Sequence, residues 1–162
     1  MTDHANSLRT FRLEKLVRIS LMITAPFNLI AAFAFAFPAS WIGRLIELPL
    51  ETHLFYGLLC GGLVGMFGLA YLWLAGQPDL NKPVLFLGVC GKAMAVLIGG
   101  GLFLADSLSG LTAALLSGDL LFAALWFYWL HTEKRREDDH ADKSSGSGDA
   151  RWRADHHCRS GR

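Results

Sequence analysis

The sequence predicts an all-α integral membrane protein, built as a bundle of four helices that cross the bilayer. Three observations support this fold class. Of the 162 residues, 52% are hydrophobic and only 18% are charged. Four apolar runs, 19–37, 54–75, 84–105 and 108–130, each approach or exceed the roughly 20 residues that a helix needs to span hydrocarbon. Apart from Lys92 and Asp119, the charged residues lie outside these runs.

Each run is expected to be α-helical, because hydrocarbon offers no partner to an unpaired backbone N–H or C=O group. Residues 19–130 then form one compact bundle. Within residues 1–18, apolar and basic side chains interleave from Leu8 to Arg18, a composition typical of a helix that lies at the membrane interface. This segment is predicted to contact membrane lipids.

Lysine and arginine are distributed unevenly along the chain. An even number of spans places both termini and the loop after the second run on one side of the membrane. That side carries thirteen basic residues, whereas the other carries only Arg44. The positive-inside rule therefore predicts cytoplasmic termini. The first run follows a basic segment, as in a signal peptide, but its apolar stretch exceeds the usual ~7–15 residues, so we expect it to be retained.

The segment 131–162 changes abruptly in composition. It contains fifteen charged residues and no Leu, Ile, Val, Met or Phe, so it is predicted to be a disordered tail. His156, His157 and Cys158 are the only candidates for a metal site. A solvated tail without metal is the favoured interpretation, since no ordered scaffold is predicted around them.

Glycine recurs along one stripe of the second run. The residues Gly57, Gly61, Gly65 and Gly68 are spaced by four, four and three positions, which places them on one side of a helix. Small residues on such a stripe let two helix backbones approach closely. The stripe is predicted to pack within the chain, and a homo-oligomer interface is the alternative.

Three polar side chains are predicted near the bilayer midplane. At 1.5 Å rise per residue, Asn28, Lys92 and Asp119 lie about 14, 12 and 17 Å from the cytoplasmic ends of their runs. The third and fourth runs are joined by a very short turn, so an ion pair between Lys92 and Asp119 is predicted, with Asn28 and Ser117 completing its hydrogen bonds. Two interpretations stay open: a static salt bridge, or a polar site that binds a small ligand.

The loop between the first and second runs carries the remaining polar candidates. It is expected to form a short interfacial helix with Trp41 at the headgroups. His53 and Tyr56 lie near this face of the membrane. A single histidine is more typical of a polar cap than of a metal ligand, so no metal site is predicted here.

Several of these features together resemble small bacterial inner-membrane proteins of the DoxX-like group. The resemblance rests on four spans with both ends inside, the turn 78–83, Gly91-Lys92 in the third run and Gly118-Asp119 in the fourth. It covers roughly residues 16–130. Because some DoxX-like proteins take part in quinone-linked oxidation, the resemblance implies a bacterial inner-membrane location and a ligand pocket within the bundle, with quinone as a candidate cofactor. No catalytic motif of that group is matched.

Two classes of function remain. No catalytic, phosphate-binding or nucleic-acid-binding motif is present, and the three cysteines show no redox or zinc spacing. We therefore favour a non-enzymatic membrane component that binds a partner protein, a lipid or a hydrophobic small molecule. The alternative is a DoxX-like oxidoreductase subunit or a small oligomeric carrier that uses the Asn28, Lys92 and Asp119 cluster.

The predicted orientation can be tested with C-terminal fusions. Because the positive-inside rule places Arg162 in the cytoplasm, a green fluorescent protein fused after it is expected to fluoresce, whereas alkaline phosphatase fused there is expected to stay inactive. Phosphatase fused after Arg44 serves as the opposite control and is expected to be active. An active phosphatase at the C-terminus contradicts the predicted topology.

Overall fold

A computed structural model describes the backbone of residues 2–48 and 53–159 and the side chains of residues 11–48 and 53–138. The described chain is helical, and no strand occurs within those ranges. Its elements are α1 (Thr2–Ala36), α2 (Trp41–Leu45), α3 (Leu54–Ala75), α4 (Lys82–Leu104) and α5 (Gly110–Arg159).

The described residues contain four helical segments long and apolar enough to cross a membrane: Phe11–Ala36, Leu54–Ala75, Lys82–Leu104 and Gly110–Asp138. The predicted all-helical architecture with four spanning-length helices is therefore confirmed. The first segment starts earlier than the apolar run, because α1 continues from Thr2 without a break between the lead segment and the span. Pro26 lies inside this helix and does not end it.

The close packing of α1 against α3 depends on glycine. The predicted stripe on α3 faces α1 at all four positions. A Cβ atom built on Gly61 would lie 2.6 Å from the Ala32 carbonyl oxygen, and one on Gly57 would lie 2.8 Å from the Phe35 carbonyl oxygen. Only a residue without a side chain fits these backbone contacts, so the stripe serves packing within the chain.

Arg18 connects α1 to the loop between α3 and α4. Its guanidinium donates hydrogen bonds to the carbonyl oxygens of Ala75 at 3.3 Å, Gln77 and Pro78 at 2.6 Å. Glu14 accepts two further hydrogen bonds from the same guanidinium, at 3.0 and 2.7 Å. The last carbonyls of a helix have no partner within the helix, so Arg18 acts as a side-chain cap of α3.

The opposite end of the bundle carries α2 and the short turn between α4 and α5; we call it the α2 end. The predicted short helix with an exposed Trp41 is present there, and the Ser40 hydroxyl caps it by accepting from the Gly43 N–H at 3.2 Å. Asp106 adopts a left-handed conformation, φ 53°, directly after α4. The Thr112 hydroxyl on α5 donates to the Ile46 carbonyl and joins α5 to the segment after α2.

The chain divides into two compact units, Met1–Phe127 and Tyr128–Arg162. In the second unit α5 continues to Arg159. All five prolines of the chain precede residue 84, so none interrupts this helix. Within the second unit Arg136 pairs with Glu133 at 2.9 Å, three residues away, a spacing that supports a helix.

Replacing Gly61 by alanine tests the backbone contact between α1 and α3. The added methyl group forces the two helices apart, so Gly61→Ala is expected to lower stability by about 1–3 kcal/mol. Gly62→Ala is the matched control, because nothing lies within 4 Å of a Cβ atom at Gly62. Thermal unfolding in detergent compares the two. Equal melting temperatures for both variants contradict glycine-dependent packing.

Candidate functional site

Lys92 on α4 and Asp119 on α5 form an ion pair in the interior of the bundle. The Lys92 ammonium contacts the Asp119 Oδ1 atom. Lys92 is buried, whereas 28% of the Asp119 side chain is accessible. The pair lies near the middle of α4 and in the apolar first part of α5, because Lys92 is ten residues from the start of α4 and Asp119 nine from the start of α5. An unpaired charge at that depth costs roughly 2.5–3.5 kcal/mol, so each residue stabilises the other.

Three aromatic rings surround the Lys92 ammonium. The centroids of the Tyr71, Phe122 and Trp126 rings each lie 5.8 Å from its Nζ atom. A ring face attracts a cation within about 6 Å of the centroid, most strongly where water is excluded. Gly88 makes room for this arrangement, because a Cβ atom there would lie 2.9 Å from the Tyr71 ring. The ammonium is therefore stabilised by a carboxylate and by aromatic faces.

These aromatic residues were not predicted as part of the site, although the sequence carries a signal for two of them. Phe122 and Trp126 follow Asp119 by three and seven positions, which places all three on one face of α5. Tyr71 belongs to a different helix, so only the packing of α3 against α4 reveals its role.

A hydrogen-bonded cluster joins α1 to α5 beside the aromatic rings. The Trp126 indole N–H donates to the Ser20 hydroxyl at 2.7 Å, and Ser20 donates to the Val17 carbonyl at 2.7 Å. The Tyr71 hydroxyl reaches the Gly88 carbonyl at 3.5 Å. The Trp126 and Tyr71 rings also pack edge to face, with centroids 4.9 Å apart. The end of the bundle opposite α2 is thus held together by both polar and aromatic contacts.

The other two predicted members of the polar cluster, Ser117 and Asn28, lie on α5 and α1. The Ser117 hydroxyl is exposed and donates to the Ala114 carbonyl of its own helix at 2.6 Å. Asn28 is on α1, where its Cβ atom lies 3.2 Å from a Cβ atom built on Gly68 of α3. Thr24, one turn earlier, has a buried hydroxyl oxygen without a hydrogen-bond partner among the described residues.

The two residues predicted near the membrane face lie at the start of α3. His53 caps this helix, since its Nδ1 atom accepts from the Phe55 N–H at 3.3 Å. Its ring packs edge to face with Tyr56, with centroids 5.9 Å apart. His53 therefore has a capping contact of the kind expected for a polar cap.

The side of α3 that contacts α4 is packed at one end and exposed at the other. Tyr71 and Phe67 contact Gly88 and Gly91 of α4. Tyr71 is 1% exposed, whereas Tyr56, on the same side of α3 but at the α2 end, is 60% exposed. Cys60, one turn from Tyr56, is exposed as well. The contact between α3 and α4 thus ends before the helices reach the α2 end.

Exposed side chains also occur on α4 and α5 toward the α2 end. On α4, Ile98 and Leu102 follow Gly91 by seven and eleven positions on the side that contacts α3, and both are exposed. On α5, Leu115 precedes Asp119 by one turn on the bundle-facing side and is 53% exposed, whereas Trp126 is fully buried. These positions are therefore exposed beyond the ion pair, whereas Gly99 of α4 and Thr112 of α5 stay buried at the same end of the bundle.

We call this region of exposed bundle-facing side chains the α2-end cleft and define it by the following residues: Tyr56, Cys60, Ile98, Leu102, Leu111 and Leu115. All of them are exposed, and most are apolar. The partly accessible Asp119 carboxylate lies one helical turn from Leu115, where the packed half of the bundle begins. The cleft thus combines apolar walls with a single charged group at its inner limit, a composition suited to an amphipathic molecule.

The residues with described side chains contain no group of three or more His, Cys, Asp or Glu side chains that could hold a metal ion. The weak metal candidates His156, His157 and Cys158 lie outside the residues whose side chains the structure describes. Comparison of the chain with protein-family models, with curated proteins and with solved structures gave no match.

Replacing Lys92 by methionine tests the energetic role of the ion pair. The variant retains most of the side-chain volume but leaves Asp119 without its cation, so we expect a loss of roughly 2.5–3.5 kcal/mol of stability. Adding Asp119→Asn removes the unpaired charge and is expected to restore much of the loss. Detergent melting curves measure both effects, with Ser117→Ala as a control that leaves the pair intact. If Lys92→Met melts like the wild type, the pair carries no net stability.

Proposed function

We propose that the chain is a non-enzymatic component of the bacterial inner membrane that binds a hydrophobic small molecule in the α2-end cleft. In this proposal both termini are cytoplasmic, as the distribution of basic residues predicts. The cleft then faces the outer half of the bilayer. The single observation that carries the proposal is the partly accessible Asp119 carboxylate beside exposed apolar side chains of α3, α4 and α5.

The chemistry of the cleft favours a ligand with an apolar body and one hydrogen-bonding group. The exposed side chains on its walls match an apolar body, which gains roughly 25 cal/mol for each Å² removed from water when it approaches from an aqueous phase. The accessible part of Asp119 matches a hydroxyl or amine that donates a hydrogen bond. Lys92 neutralises the carboxylate, so a neutral donor is expected to bind without burying an unpaired charge.

The alternative is a DoxX-like oxidoreductase subunit or a small oligomeric carrier. The observation that favours it is the place of a titratable pair at the inner limit of the cleft, where it would contact a quinone ring or a transported molecule. A quinone is reduced to a quinol whose hydroxyl groups donate hydrogen bonds, and a quinol fits the same carboxylate. The two functions therefore share a site and differ in whether the ligand changes chemically.

Filling the cleft is the direct test. Leu115→Trp places a large ring in the cleft, whereas Leu121→Trp places the same ring on an exposed position that points away from the bundle. We expect the protein purified from membranes to carry a hydrophobic molecule detectable by mass spectrometry of an organic extract. Leu115→Trp is expected to reduce its recovery at least tenfold, and Leu121→Trp is expected to leave it unchanged.

The extract and a reduction assay distinguish the proposals. A short-chain ubiquinone is added as the probe, and binding is followed by the rise in melting temperature that a ligand of the folded state produces. Binding without electron transfer supports the non-enzymatic function, while turnover abolished by Asp119→Asn supports the oxidoreductase. Extracts without any such molecule, together with cross-linking of the cleft to a second protein, contradict ligand binding and indicate a helical partner in the cleft.

A further inference from the structure

The rotation of α1 near the end opposite α2 is fixed by contacts on one of its sides. Glu14 and Arg18 are bonded to each other, and Arg18 also caps α3. Val17 and Leu21 are fully buried against the bundle. The opposite side of α1 therefore points away from the protein, and Arg12 and Lys15 lie on that side with exposed side chains.

The same side of α1 continues toward the α2 end as an apolar surface. Ile19, Met22 and Ile23 are exposed on it, as expected for side chains that contact acyl chains. At 1.5 Å per residue, Lys15 lies about 6 Å and Arg12 about 10 Å beyond Ile19 along the helix axis. Both cations are thus located just outside the hydrocarbon, at the depth of lipid phosphates.

Arg12 and Lys15 are spaced to contact one anion together. Side chains three positions apart on a helix are neighbours, with Cβ atoms about 5–6 Å from each other. The planar guanidinium of Arg12 matches the oxygens of a phosphate, and the Lys15 ammonium adds a second charge. The exposed Phe11 and Leu16 flank the two cations. Apolar neighbours of this kind favour the edge of the hydrocarbon over the surface of a water-soluble protein.

From these contacts we propose that Arg12 and Lys15 form a binding site for the headgroup of an anionic phospholipid on the lipid-facing side of α1. The site is separate from the α2-end cleft and lies at the other end of the bundle. It holds the phosphodiester between the two cations while the acyl chains follow Ile19, Met22 and Ile23. The proposal requires that the chain spans a membrane and is independent of the ligand in the cleft.

Native mass spectrometry of the full chain in detergent tests the site. Phosphatidylglycerol and phosphatidylcholine are titrated separately, and apparent dissociation constants are compared. Each basic residue near an anionic surface contributes about fivefold to affinity, the equivalent of ~1 kcal/mol. The double variant Arg12→Gln with Lys15→Gln is therefore expected to bind phosphatidylglycerol about 30-fold more weakly. Its affinity for phosphatidylcholine is expected to change far less.

Two matched variants keep the test specific. Arg135→Gln with Arg136→Gln removes the same number of charges from α5 and is expected to retain phosphatidylglycerol binding. The swap Arg12→Lys with Lys15→Arg keeps both charges and is expected to bind within a few-fold of the wild type. An equal loss in the α5 variant, or equal affinity of the wild type for both lipids, overturns the proposal. Binding of free glycerol phosphate with the same affinity also overturns it, because the site would then recognise a soluble phosphate.

Discussion

An ammonium and a carboxylate on two apolar helical segments limit how those segments can pack. Lys92 is buried and its ammonium contacts the Asp119 carboxylate, so the pair favours the register of α4 and α5 that brings the two groups together. The aromatic rings of Tyr71 and Trp126 then cover the cation from α3 and α5. Because Trp126 also bonds to Ser20, α1 is joined to the same centre. Contacts from all four long helices thus converge at one charge.

Two different modes of packing occur in this small bundle. The α1–α3 pair is held by backbone contacts that glycine permits, whereas α4 and α5 meet through side chains around the ion pair. Backbone contacts extend along α3 from Gly68 to Gly57, close to the α2 end. The side-chain contacts of α3 with α4, in contrast, stop near Phe67. This difference explains why the helices separate on one side of the bundle and form a cleft there.

The four long helices could be predicted from the sequence. A helix that crosses hydrocarbon needs about 20 residues and few charges, and both properties can be read from the sequence. The Lys92–Asp119 pair was predicted from the similar depths of the two residues and from the short turn that makes their helices antiparallel neighbours. The role of Arg18 was missed, because a charge count treats it as one more basic residue at the surface. Its bonds to three carbonyls depend on the geometry of the α3 terminus, which composition does not encode.

The rotation of a side chain about the helix axis explains another difference between the predicted contacts and the observed ones. Ser117 was expected to complete the hydrogen bonds of the ion pair, yet two positions along a helix turn a side chain by about 200°, and its hydroxyl bonds within α5. The disorder of the tail after residue 130, which its lack of apolar residues indicates, stays a prediction. The cleft itself was not predictable, since its walls have the same composition as a lipid-facing surface.

The hydrogen bond between Thr112 and Ile46 affects how firmly the α2 end of the bundle is held together. At the packed end, Arg18, Ser20 and the aromatic rings resist separation of the helices, whereas at the α2 end a neutral hydroxyl–carbonyl contact ties α5 to the loop after α2. A net contribution of about 0.5–1.5 kcal/mol is typical for such a bond. This contact therefore holds the start of α5 by far fewer bonds than those that join the helices at the opposite end.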